Sequence, residues 1–175
     1  MKIIECLKQM KMNEKKLGKN VLMIQQYSSV CSAEKPVFGT EDIQRKEVKE
    51  LIQSNMDLIK RQTELRSALQ KTNMETEVNI GDITDTIDYF LYMKTKGIAF
   101  TISTYNALNE RTARQRMMGG NTTVDGKRPQ VEYMYDEKEK NAALRKYGDL
   151  EGEISARLEV INATTNIIGL DAIEE

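Results

Sequence analysis

Apolar residues recur along the start of the chain at alternating steps of three and four: Ile3, Leu7, Met10, Leu17, Val21 and Ile24, with Glu14 at the one skipped position. That spacing places them on one helical face and predicts a helix over about 2–26. From Tyr27 to Gly39 the pattern stops, and Ser28, Ser29, Ser32, Pro36 and Gly39 make a loop. Thr40, followed by Glu41 and Asp42, reads as an N-cap with acids in the first turn. The second helix should run over about 41–76, with Val48, Leu51, Leu58, Leu65 and Leu69 on a heptad-like seam that Asn55, Gln62, Thr72 and Thr76 interrupt. At ~1.5 Å per residue this is a rod of roughly 50 Å.

After Gly81 a further cap signal at Asp82 or Thr84 predicts a third helix over about 84–117, with Ile87, Leu91, Ile98, Tyr105 and Leu108 along one stripe. Between Gly119 and Asp136 the period changes to two, with Val131, Tyr133 and Tyr135 alternating against Glu132, Met134 and Asp136. Asp125-Gly126 is a type I′ hairpin signal, so a β-ribbon is expected over about 121–135. A fourth helix should cover about 137–168, carrying Leu144, Tyr147, Ile154, Leu158, Ile161 and Ile168. The expected fold is mainly all-α: an antiparallel long-helix bundle of coiled-coil type with one small β-ribbon insertion near 119–136, in a single domain over 1–175.

Charge and composition narrow the function. The 26 basic residues against 27 acidic ones give no cationic surplus for nucleic acid or an anionic membrane. With no His, imidazole-based triads and His-ligated zinc are excluded. Cys6 and Cys31 stand in no ligand spacing, no secretory leader pattern is seen, and no apolar run approaches the ~20 residues of a membrane span. The expectation is a non-enzymatic cytoplasmic protein without cofactor or metal. Asp82, Asp85 and Asp88 would share a helical face, but acids in a first turn have a dipole explanation.

Polarity enters the seams at two places. Thr72, Asn73 and Thr76 close the second helix, and Asn162, Thr164, Thr165 and Asn166 close the fourth. Such residues either end helices by competing for backbone hydrogen bonds or converge to line a polar pocket. A basic group follows the third helix: Arg111, Arg114 and Arg116, with Lys127 and Arg128 at the ribbon tip. These either complement a helix C-terminus or grip phosphate or carboxylate, for which the Arg fork is suited. Glu132 on the ribbon completes the candidate set.

The order of these features resembles the septicolysin-like family of helical bacterial and phage proteins. The likeness rests on Thr72-Asn73-Met74-Glu75-Thr76, Thr84-Asp85, Val131-Glu132-Tyr133 and Asn162-Ala163-Thr164, in that order along the chain. Phe90-Leu91 stands where the resemblance implies an Arg-Asp pair, and the chain has no Trp near its end. The resemblance implies an oligomeric helical fold and carries no established activity. With the clusters above, the expected function is a homo-oligomeric binding protein. It would hold a small anionic, nucleotide-like ligand in inter-subunit pockets at Thr72, Asn73, Thr76, Arg111, Arg114, Lys127, Arg128, Glu132, Asn162 and Thr165. A phage protein sequestering a host defence signal would fit that description, working in the host cytoplasm. The alternative is a structural protein, such as a virion or scaffold component, whose helices present coiled-coil surfaces.

Overall fold

The computed structural model describes residues 1–119 and 130–170. The protein is mainly helical, with one two-stranded antiparallel sheet among the described residues. Helices α1 (Ile3–Tyr27) and α2 (Glu41–Glu75) fall where the apolar spacing puts them. The side chain of Thr40 accepts from the Ile43 N–H at 3.3 Å, so the cap read from Thr40-Glu41-Asp42 starts α2.

The chain packs as two compact units, the first comprising Met1–Thr76 and the described residues from Glu159 onward, the second Glu77–Leu158. In the first unit α1 and α2 form an antiparallel hairpin, since contacts advance along one helix as they retreat along the other. Cys6 meets Leu65, Asn13 meets Gln62, Asn20 meets Asn55, and Gln44 reaches Tyr27. Ile3, Cys6, Leu65, Ala68, Ile161 and Ile167 are buried, together with the polar Asn20, Gln44, Asn55 and Thr72. The residues after α6 (Glu137–Thr164) run extended beside the N-terminus: the Ile3 N–H donates to the Thr165 carbonyl at 3.0 Å, and the Ile167 N–H to the Met1 carbonyl at 2.9 Å. The last helix therefore ends near Thr164 rather than 168, where Thr164, Thr165 and Asn166 give way to backbone pairing.

The second unit departs most from expectation. Residues 83–86 do not begin a helix: β1 (Glu77–Ile80) and β2 (Ile83–Thr86) pair in register from Glu77 opposite Thr86 to Ile80 opposite Ile83. β-Branched Val78, Ile80, Ile83, Thr84 and Thr86 favour the strand, and Gly81, at φ +59°, supplies the tight turn. A lone hairpin is marginal in water, and this one is anchored by Ile80, Ile87 and Phe90, all essentially inaccessible. The helix starts later, capped by Thr86, whose hydroxyl accepts from Tyr89 N–H at 3.2 Å.

The expected third helix is also divided. α3 (Ile87–Tyr92) passes through one π-helical turn (Met93–Gly97) into α4 (Ile98–Asn106), and a break precedes α5 (Arg111–Gly119). Asn109 makes the break, because its side chain donates to the Ala107 carbonyl at 2.9 Å and accepts from the Arg111 N–H at 3.0 Å. The β-ribbon expected over about 121–135 is not found among the described residues, since 130–135 form no strand. Its proposed turn at Asp125-Gly126 lies outside the described residues. The tyrosines behind the two-residue period are instead held by side-chain contacts: the Tyr133 hydroxyl donates to Glu110, and Tyr135 lies under Lys140. Asp136 then caps α6, its carboxylate accepting from the Lys138 and Glu139 N–H groups.

Candidate functional site

Thr72 is fully buried, with its hydroxyl engaged on both sides inside the first unit. It donates to the Ala68 carbonyl at 2.8 Å and accepts from the Ile168 N–H at 2.9 Å. The end of the chain is therefore tied to Thr72 by the backbone of Ile168, two residues past the second polar cluster. Buried and with its hydroxyl engaged on both sides, Thr72 serves here as a tether. Asn73 is half-buried on α2, and the half-buried Thr76 ends that helix with its N–H on the Thr72 carbonyl. Asn162 is half-buried on α6, while Thr165 lies in the extended segment with its N–H on Ile161 and its carbonyl on Ile3.

Beside the tether, α2 and the segment Ile168–Leu170 enclose a groove of about 580 Å³. Arg61 and Lys71 bring two cations to it, Glu64 one acid, and Thr63 and Ser67 two hydroxyls; Ala68, Ile168 and Leu170 supply apolar surface. Helical geometry explains the assembly, because positions 61, 64, 68 and 71 succeed one another by three or four and share one face of α2. Gly169, at φ +77°, turns the covering segment in the left-handed conformation open to glycine. The Arg61 side chain is 23% exposed and its guanidinium lies 3.3 Å from the Glu64 carboxylate. Burial pushes the nearby Cys6 thiol up, and the Arg61 charge partly opposes that shift.

Sequence reasoning missed Arg61 and Lys71, which look like the solvated face of a long helix. The available signal was the apolar content of Ile167, Ile168 and Leu170, which requires the end of the chain to lie against something.

In the second unit, Arg114 and Tyr133 both reach Glu110. The Glu110 carboxylate accepts from the Tyr133 hydroxyl at 2.7 Å and from the Arg114 Nε at 2.6 Å. Those two bonds, Tyr133 first, hold the Glu110 carboxyl below its usual range, and the bond to Glu110 raises the Tyr133 phenol above its own. Lys140 donates to the Leu108 carbonyl at 2.6 Å and sits 5.5 Å over the Tyr135 ring. Arg114 thus pairs with Glu110 through its Nε while its side chain stays 64% exposed. Arg111 is exposed at the start of α5, and Glu132 is exposed next to Tyr133. Lys127 and Arg128 lie outside the described residues. The three aspartates Asp82, Asp85 and Asp88 share no helical face, because they occupy a turn, a strand and a helix in succession.

Comparison with protein-family models, curated proteins and solved structures finds no match to the chain. Among the described residues no helix is long and apolar enough to cross a membrane.

Proposed function

We propose that this protein is a non-catalytic, self-associating helical protein that holds a small anionic, nucleotide-like ligand in a pocket walled by two protomers. One observation carries the reading. Ile52, Met56 and Ile59 stand exposed on α2 at 42%, 56% and 48%, in the four-then-three spacing of a coiled-coil seam, on a face that α1 leaves uncovered. The same row continues to Thr63, which lines the cation-bearing groove. A second copy seated on the ridge would therefore also wall the groove.

Native mass spectrometry, with and without ATP or ADP-ribose, tests the proposal. The expected result is a discrete oligomer carrying stoichiometric added mass that is released on denaturation. An oligomer that takes up no added mass would replace this reading by the structural one, for which the ridge alone is sufficient; a monomer would remove both.

A further inference from the structure

We infer that the groove between α2 and Ile168–Leu170 seats an elongated phosphoryl anion, with Arg61 and Lys71 meeting its two charged ends. The inference rests on the anion-binding reading above and names its site and ligand chemistry. The grooves of the first unit differ in what they offer an anion. Beside Tyr27 lies one of about 430 Å³ with Arg45 and Lys49 against Glu41, but there the Arg45 side chain is 71% exposed and its charge screened by water, and the Gln44 amide is used at both ends, on the Tyr27 carbonyl and the Val37 N–H. In a second, of about 470 Å³, Lys16 and Arg61 are balanced by Glu50 and Asp57, which leaves no net pull on an anion. The third has, among its described lining residues, two cations against the single acid Glu64, with the Arg61 side chain only 23% exposed, and its volume lies within the ~300–1,000 Å³ usual for small-molecule sites.

Spacing sets the shape of the ligand. Ten residues separate Arg61 from Lys71 on one helix, about 15 Å along its axis at ~1.5 Å per residue. A compact oxyanion is within easy reach of one cation, whereas a chain of phosphoryl groups, or a phosphoryl group joined to a second anion, spans both. Arg61 presents the planar fork that matches two oxygens of one phosphoryl group, and Lys71 a point charge for the far end. The Thr63 hydroxyl proton is already given to the Ile59 carbonyl at 3.0 Å, so the hydroxyl donor left to the groove is Ser67. Apolar Ile168 and Leu170 offer a resting surface for a ring carried on such a chain.

Seating the anion requires Arg61 to exchange Glu64 for the ligand. That exchange costs little, because the Glu64 side chain is 47% exposed and a screened pair of this kind is weak. It also gives the site a signature that a purely structural role for Arg61 would lack. Glu64→Gln removes both the competitor and one negative charge, and should tighten binding.

The test is isothermal titration of the full chain with inorganic tripolyphosphate, inorganic phosphate, glutarate and ADP. Expected are tripolyphosphate binding that exceeds that of phosphate and glutarate, a loss of about tenfold or more in Arg61→Gln and in Lys71→Gln, and a gain in Glu64→Gln. Lys71 is exposed, so its variant reports on binding even where Arg61→Gln disturbs folding near Cys6. Unchanged affinity in Lys71→Gln and Glu64→Gln would overturn the seat while leaving anion binding intact. Binding of ADP but not tripolyphosphate, or glutarate bound as well as tripolyphosphate, would overturn the phosphoryl assignment alone. No binding of any of the four would remove the anion-binding reading with it.

Discussion

Replacing Thr72 by Val removes one oxygen from the first unit and keeps the side-chain shape. Because the Thr72 hydroxyl accepts from the Ile168 N–H at 2.9 Å, Val leaves that amide without its partner. The Ala68 carbonyl loses only a second donor, since the helix already supplies its i+4 N–H. A backbone donor stranded in this way costs about 1–3 kcal/mol. The alternative, letting the segment swing into water, would give up the burial of Ile167, worth about 1.5–3 kcal/mol for a full aliphatic side chain. Both routes lead to the same scale of loss, and both expose the Ile168 amide. Native-state hydrogen exchange should therefore quicken at Ile168 by about five-fold to 150-fold in Thr72→Val. Thr72→Ser keeps the hydroxyl and loses a methyl group, so it should cost about 1 kcal/mol while the Ile168 amide stays protected. Exchange at Ile168 that is the same in Thr72→Val and wild type would refute the tether. Lost ligand affinity without any change in exchange would restore Thr72 as a ligand residue.

Other consequences follow from burial and pairing. With Cys6 buried and its thiol pushed up, and Cys31 exposed, a thiol reagent should titrate one cysteine rapidly in the native chain and both after denaturation; two fast equivalents would contradict the packing against Leu65. Asn55→Ala should cost about 1–3 kcal/mol by stranding the buried Asn20 amide, now 2.9 Å from the Asn55 carbonyl oxygen, whereas the double change of Asn20 and Asn55 to Leu should recover most of that in a denaturant titration. The Glu110 carboxyl lies below its unfolded value, so its contribution is present above the usual carboxylate range and lost as pH falls through the folded value. The Tyr133 phenol lies above its unfolded value, so its contribution is present below the usual phenol range and lost as pH rises through the folded value. Ultraviolet titration should show two late-ionising tyrosines, Tyr133 and Tyr135, one of which disappears in Tyr133→Phe and titrates earlier in Glu110→Gln. Sedimentation of Ile59→Lys at rising concentration should show self-association weakened against wild type, and an unchanged profile would remove the α2 ridge from the interface.

Where one physical signal governed a segment, the sequence was readable. The three-and-four spacing of apolar residues located α1 and α2, and the hydroxyl of Thr40 followed by two acids located the start of α2. Where two signals competed, the reading went wrong. Asp82, Thr84 and Asp85 have the composition of a helix cap, yet they lie in a short β-branched run beside a glycine at positive φ, and tertiary anchoring of Ile80 and Ile87 decided for the hairpin. The alternation at Tyr133 and Tyr135 looked like a strand because side chains held by Glu110 and Lys140 leave the same trace as a pleat. At the site, polarity at two helix ends marked Thr72 as unusual in an apolar seam. Its role was not legible, since a hydroxyl that tethers a backbone and one that lines a pocket are the same residue. Arg61 and Lys71 escaped notice because charge on a long helix ordinarily faces water.

The polar layers of the α1–α2 hairpin bear on why its outer face is apolar. Asn13 with Gln62, Asn20 with Asn55, and Tyr27 with Gln44 place hydrogen bonds where a coiled coil usually has aliphatic contacts, and the buried apolar residues of the two helices, Ile3, Cys6, Leu65 and Ala68, gather at one end of the hairpin. Polar layers fix register, because a slip of one heptad strands every amide at once, but they contribute little hydrophobic stabilisation. The apolar residues that could contribute it, Ile52, Met56 and Ile59, are each about half exposed. Finishing their burial is worth about half of ~1.5–3 kcal/mol apiece, or roughly 2–4 kcal/mol per protomer. Two protomers together reach only the lower part of the ~4–15 kcal/mol that association costs in lost freedom. On the proposed reading the ridge would bias the chain toward a second copy without securing it, and a ligand held by Arg61 and Lys71 where ridge and groove join would supply the remaining contacts. Ligand and assembly would then be linked, each strengthening the other by the same factor.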